Sequence, residues 1–224
     1  LNVNTGSANT AVGSCSLAVN VGGANNTAVG KDALTANTTG ASNTAVGVKS
    51  SLGNTTGTLN ASFGDNSFRC NTTGANNTAL GTSVLFNNTT ASFNTAVGSE
   101  ALSTNTTGAN NVAVGRLSLK ANTTGAENTA VGANALCKNT TASGNSAFGR
   151  CALFDNTTGA ANNTFGTESL ANNTTGGCNN AFGNAALGQN TTGAGNVAMG
   201  HIALNANTTG ANNVAVGLCA LKSN

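Results

Sequence analysis

Few residues in this chain have side chains suited to catalysis, and their spacing does not bring them together. The only histidine is His201, and the nearest acid at a comparable place in the sequence pattern is Glu168. General acid–base catalysis needs such groups within hydrogen-bond reach of each other and of a substrate. Calcium-binding solenoids need an aspartate in every turn, whereas this chain has only Asp32, Asp65 and Asp155. We therefore predict a protein that is not an enzyme and that binds no metal and no cofactor.

The six cysteines lack the C-x-x-C spacing that is typical of zinc sites. A disulfide between Cys137 and Cys151 is expected only if their Cα atoms lie within about 7 Å of each other, and cross-links between chains are the alternative. An even number of cysteines at surface positions favours an oxidising, extracellular setting, while buried free thiols are the other interpretation.

A glycine that returns every seventeen residues, without insertion or deletion, sets the framework for all other residues. The thirteen glycines are Gly13, Gly30, Gly47, Gly64, Gly81, Gly98, Gly115, Gly132, Gly149, Gly166, Gly183, Gly200 and Gly217. A fixed short period is the signature of a solenoid, in which each repeat forms one coil and stacks on its neighbours. We number positions within a coil from this glycine as 0. The pattern predicts an all-β fold, a parallel β-solenoid (β-roll) of about 13 coils, with residues 1–224 forming a single repeat array that is a segment of a longer fibrous chain.

Bulky apolar residues occupy position 16 of every coil. Position 4 is also apolar, with leucine in most coils and Phe68 in one, and Ser51 is the lone exception. These two columns are the predicted interior. Because side chains alternate along a strand, position 15 is then predicted to point outward. An outward apolar column of small residues predicts self-association. The alanines of this column are Ala28, Ala45, Ala79, Ala96, Ala113, Ala130, Ala147, Ala181, Ala198 and Ala215.

Asparagine fills position 13 of all thirteen coils and also recurs at position 7. Stacked asparagines can hydrogen-bond along the axis, and asparagine tolerates the left-handed backbone of a coil corner. The sequence favours this structural role. At position 7, however, eleven coils continue as N-T-T, which is an N-x-[ST] acceptor for glycosylation in a eukaryotic secretory pathway. These asparagines are Asn37, Asn54, Asn71, Asn88, Asn105, Asn122, Asn139, Asn156, Asn173, Asn190 and Asn207.

Composition excludes two classes of partner. The chain has eight Lys or Arg and six Asp or Glu residues, a net charge of +2, and no Trp or Tyr. Without basic clusters or aromatic stacking platforms, we predict no nucleic-acid binding. The apolar runs are far shorter than the roughly 20 residues that span a bilayer, so we predict no membrane insertion.

The segment N-T-A-V-G-x-x-A-L, found at residues 94–102 and begun at residues 43–47, resembles the N-S-V-A-I-G-x-x-A repeat of the head domains of trimeric autotransporter adhesins. Similar N-T-A-V-G repeats mark bacterial and phage tail-fibre proteins. The resemblance is one of repeat type and covers essentially the whole chain, although the usual head repeat has fourteen residues. It implies left-handed parallel β-rolls that pack in threes into an adhesive rod.

Two functions follow as hypotheses. The first is a non-enzymatic structural or adhesive component of an extracellular, cell-surface or virion fibre, whose partners are itself, as a homotrimer or filament, and a host-surface or glycan ligand at the variable corners. The alternative is an ice-binding (antifreeze) solenoid that uses the threonine columns at positions 8 and 9. Consecutive residues of a strand point to opposite faces, which argues against one flat ice-binding surface there.

Overall fold

The computed structural model describes residues 4–223, which contain short β-strands, turns and bends and no helix. The chain divides into two compact units, Leu1–Asn111 and Val112–Asn224. Within each unit, every coil contributes one three-residue strand at positions 14–16, and successive strands pair in parallel and in register. Each unit is therefore a parallel β-solenoid with seventeen residues per coil, which confirms the predicted fold class.

The first unit contains β1 (Thr10–Val12), β2 (Thr27–Val29), β3 (Thr44–Val46), β4 (Ala61–Phe63), β5 (Thr78–Leu80) and β6 (Thr95–Val97). The second unit contains β7 (Val112–Val114), β8 (Thr129–Val131), β9 (Ser146–Phe148), β10 (Asn163–Phe165), β11 (Asn180–Phe182), β12 (Val197–Met199) and β13 (Val214–Val216). In the register, each residue pairs with the residue at the same position of the next coil, as Ala11 does with Ala28. This register stacks every position of the coil into a column along the axis.

The orientation of the strands is the reverse of the one predicted from residue size. Position 15 points into the core, and positions 14 and 16 point outward. The alanines proposed for self-association are all buried: Ala28, Ala45, Ala79, Ala96, Ala113, Ala130, Ala147, Ala181, Ala198 and Ala215. Position 16 instead carries exposed side chains such as Leu80 and Met199, which are 47% and 44% exposed. The alanine column therefore cannot be an association surface.

The narrowness of the coil explains why alanine, and not the bulkier residue, lies inside. In the first unit, Ala28 and Ala45 pack in one core cluster with Leu34 and Ala33, which occupy positions 4 and 3 of the same coil. The leucine side chain is fully buried between the walls of the coil. The space that remains at position 15 suits a small side chain, because protein interiors are closely packed. Alanine fills it in most coils, and the buried Ser62 and Thr164 fill it in two.

The leucine column at position 4 is buried, as predicted, but its backbone is unexpected. Leu34 has φ 48° and Leu102 has φ 50°, and position 4 adopts this left-handed conformation in every coil. For a residue other than glycine this conformation costs roughly 1–2 kcal/mol. Full burial of a leucine side chain contributes about 1.5–3 kcal/mol, so burial offsets the backbone cost. This is why a leucine can occupy a corner that would otherwise favour glycine.

The coil that lacks leucine at position 4 is compensated by its neighbours. Ser51 is buried there, and its hydroxyl lies 2.7 Å from that of Ser62, which replaces the usual alanine at position 15. The hydroxyl of Ser50 also lies 2.7 Å from Ser62 Oγ. In the adjoining coil, position 4 holds Phe68, which is 1% exposed and is the largest buried side chain of the column. The serine and the phenylalanine thus form a small–large pair between adjoining coils.

This pairing predicts strong energetic coupling between Ser51 and Phe68. Ser51→Leu alone should overpack the core against Phe68, and Phe68→Leu alone should leave a cavity, each destabilising by about 1–3 kcal/mol. The double variant restores the leucine column, so the two energies should fall short of additivity by at least ~1 kcal/mol. Urea denaturation of the four proteins measures this cycle. Additive energies would show that the two side chains do not share the same space.

Candidate functional surfaces

The asparagine columns at positions 7 and 13 are buried hydrogen-bond ladders. Asn173 Nδ2 donates to Asn156 Oδ1 and to the carbonyl oxygen of Gly176, each at 2.8 Å, while Asn173 Oδ1 accepts from Asn190 Nδ2 at 2.9 Å. At position 13, the backbone N–H of Asn162 donates to the side-chain oxygen of the asparagine one coil earlier. The predicted ladders are confirmed. Their residues do not adopt the left-handed backbone, which falls at positions 2, 4 and 12 instead.

Burial of the position 7 column contradicts the predicted glycan acceptors. A glycan attaches to Nδ2, and in the ladder this atom lies in the core and donates to protein acceptors. A sugar at any of these sites would have to break the ladder and leave the interior. The asparagines concerned, each at most 3% exposed, are Asn37, Asn54, Asn71, Asn88, Asn105, Asn122, Asn139, Asn156, Asn173, Asn190 and Asn207.

All six cysteines are free thiols, including Cys137 and Cys151, so the disulfide considered for that pair is not formed. Burial raises the pKa of Cys137, and the nearby charges of Lys120 and Lys138 oppose this effect only in part. Cys137 is therefore a protonated thiol at neutral pH and a weak nucleophile. Hydrogen bonding and charge attraction from Asp155, whose Oδ1 lies 2.6 Å from Lys138 Nζ, raise the pKa of Lys138.

Potential metal ligands do not cluster in the described residues. His201 is exposed at a coil corner. Between residues 4 and 223, no three His, Cys, Asp or Glu side chains come close enough to hold a metal ion. The same part of the chain contains no helix long and apolar enough to cross a bilayer.

The outer face of the strands carries an apolar column at position 16, with a column at position 14 that is Thr, Ser or Asn in nine coils and Ala or Val in four. Its two columns, positions 14 and 16, contain no charged residue in any coil. In the second unit, the rings of Phe148, Phe165 and Phe182 stack along position 16, with centroids 4.6 Å and 5.0 Å apart and interplanar angles of 5° and 8°. In the first unit, Phe63 and Leu80 are exposed at the same position. We call positions 14 and 16 of the coils the outer strand face.

The threonine columns at positions 8 and 9 differ in exposure. Position 8 is half-buried in most coils, and its hydroxyl donates to the carbonyl oxygen of the same position in the next coil, as in Thr157 to Thr174 at 3.0 Å. Position 9, for example Thr107 and Thr175, is exposed. Because the position 8 hydroxyls are engaged within the ladder, position 9 is the more exposed of these two threonine columns.

Sequence reasoning missed the outer strand face because it ranked residues by size. The signal that could have identified it is the distribution of charge: position 16 is apolar in every coil, yet it varies among Val, Phe, Leu and Met. Such variation in volume is poorly tolerated in a thin core and is harmless on a surface.

Comparison with models of protein families, with characterised proteins and with solved structures found no match to this chain.

Proposed function

We propose that this chain is a non-enzymatic structural segment of an extracellular or virion surface fibre, and that it self-associates through the outer strand face. The observation that supports the proposal is the exposed apolar side chains at position 16 within each unit: Val12, Phe63 and Leu80 in the first, and Phe165 and Met199 in the second. Contiguous exposed apolar surface of this kind marks interaction sites on soluble proteins.

The axial repeat of the coils favours a second copy of the chain as the partner. Adjacent parallel strands lie about 4.8 Å apart, so the apolar side chains of the outer strand face recur at that spacing. A partner that covers such a column along its length must repeat at the same interval, and another copy of this solenoid does so. The absence of charge from positions 14 and 16 removes the repulsion that would oppose like-with-like contact.

Charge placed on the outer strand face tests the proposal. The variant Leu80→Arg/Met199→Arg should have a lower mass in solution than the wild type, because two guanidinium groups would have to be desolvated at the interface. Its circular dichroism and melting temperature should stay close to those of the wild type, since both side chains lie outside the core. Light scattering after size-exclusion chromatography gives the mass, and Thr73→Arg/Thr192→Arg, on the position 9 column, is the matched control.

Two results would contradict self-association through this face. One is a monomeric wild type, and the other is an outer-face variant that keeps the wild-type mass.

Thermal hysteresis measured on the same wild-type preparation addresses the ice-binding alternative. Strong hysteresis that is lost in Thr107→Leu would replace the fibre proposal with ice binding.

A further inference from the structure

A groove opens on the surface of the second unit, at positions 2, 5 and 6 of successive coils and away from the outer strand face. Its volume is about 260 Å³, and it runs along the column of position 5 residues. Phe154 stands at one end of this column, followed by Ala171 and Gly188 in the next two coils, with Asn205 beyond them. The two small residues create the space, because a larger side chain at either position would fill it.

One face of the Phe154 ring is covered, and the other lines the groove. Lys138 comes from the preceding coil, and its Nζ lies 5.1 Å from the ring centroid. The groove residues Ala171 and Glu168 belong to the following coil, on the opposite side of the ring. An aromatic face carries partial negative charge and attracts partly positive C–H groups as well as cations.

The rest of the groove is rich in side-chain amides. Asn172 Nδ2 donates to Gln189 Oε1 at 2.9 Å, and Asn205 Nδ2 donates to the carbonyl oxygen of Ala185 at 2.8 Å. These bonds fix the amides and leave Asn172 Oδ1, Gln189 Nε2 and Asn205 Oδ1 for a ligand. The carboxylate of Glu168 is already paired with Arg150. The groove thus offers both donors and acceptors with little uncompensated charge.

The same arrangement recurs four coils earlier, within the first unit. There a groove of about 300 Å³ is lined by Phe86 at position 5, by Ser103 at position 5 of the next coil and by Glu100 at position 2 of that coil. The guanidinium carbon of Arg69, in the preceding coil, lies 5.4 Å from the Phe86 centroid. At both places a cation of the preceding coil lies over the ring, and a glutamate and a small residue of the following coil line the groove, with the cation at position 5 for Phe86 and at position 6 for Phe154. Phenylalanine occupies position 5 in these two coils and in no others.

We propose that these two grooves each bind a pyranose unit of a neutral saccharide. A sugar ring presents a face of C–H groups, which suits the open face of Phe86 or Phe154, and a rim of hydroxyls. Each hydroxyl both donates and accepts, as the amides of Asn172 and Gln189 do. The groove volumes lie at the small end of ligand sites, which fits one sugar ring better than a larger ligand.

A quaternary ammonium group is the competing ligand, but Glu168, the carboxylate it would need, is neutralised by Arg150. The proposal does not depend on self-association, since the grooves and the outer strand face are on different sides of the coil.

Saturation-transfer NMR on the intact chain tests saccharide binding by the grooves. The probes are the methyl glycosides of glucose, galactose, mannose and N-acetylglucosamine at millimolar concentration. At least one glycoside should receive saturation, strongest at the C–H protons of one ring face. The variant Phe86→Ala/Phe154→Ala should weaken that binding by about two- to ten-fold. A second variant, Ser103→Leu/Ala171→Leu, fills both grooves while keeping the rings and should abolish the signal. Leu52 shows that a coil accepts leucine at position 5.

Phe182→Ala, on the outer strand face, is the matched control and should leave glycoside binding unchanged. The proposal is overturned if no glycoside binds, if binding persists in both double variants, or if choline binds in the grooves where the glycosides do not. Glycoside binding in a monomeric protein would support the grooves while contradicting the proposed self-association, so the two proposals fail separately.

Discussion

Gly149→Ala should destabilise the second unit by at least ~3 kcal/mol, one of the largest effects expected of any single substitution here. Gly149 has φ +137°, a conformation that alanine rarely adopts. A Cβ added there would lie 2.5 Å from the carbonyl oxygen of Gly166 in the next coil. That oxygen belongs to the backbone, so the clash can be relieved only by separating the coils. The measurement is urea denaturation, together with hydrogen exchange of the amides in the adjoining coils.

Gly144→Ala, five residues earlier, is the matched control. Gly144 has φ +70° with nothing within 4 Å of an added Cβ. Ala161, one coil later at the same position, already adopts φ 58°. The control should change the free energy of unfolding by less than about 1 kcal/mol. Similar effects of the two substitutions would mean that the coil stacking at Gly149 is not as tight as described.

Leu102→Asp should be comparably severe in the first unit. The Leu102 side chain is fully buried, so the substitution removes its apolar burial and places a carboxyl group in the leucine column of the core. The expected loss is on the order of 4 kcal/mol. Because desolvation raises the pKa of a buried carboxyl group, the folded state binds a proton more tightly than the unfolded state does, and the loss should grow as the pH rises above about 4.

Urea denaturation at pH 4 and pH 7 checks both the size and the sign of this effect. Lys31→Ala, at an exposed corner of the same unit, is the control and should change the free energy of unfolding by less than ~0.5 kcal/mol. Equal effects at Leu102 and Lys31 would contradict the placement of position 4 in the core.

The sequence by itself determined the period, the fold class and the columns that stack along the axis. An unbroken seventeen-residue spacing leaves one way to place Asn156, Asn173 and Asn190 in succession, and their hydrogen bonds follow from that register. Leucine at position 4 is likewise identified as interior, because a large apolar side chain that recurs in nearly every coil is stabilised by burial in the core. These inferences depend on repetition alone, which is visible without coordinates.

Only the tertiary structure decided which side of each strand is buried. Alternation along a strand separates Ala113 from Val112 and Val114, but it does not say which set faces the core. The answer depends on packing across the coil, where leucine at position 4 shares the core with small side chains at position 15, which are alanine in most coils and Ser62 and Thr164 in two. The grooves beside Phe86 and Phe154 likewise arise between coils, from residues of successive coils that are distant in the sequence. Packing across the coil is a three-dimensional constraint, so residue size and period were not enough to predict it.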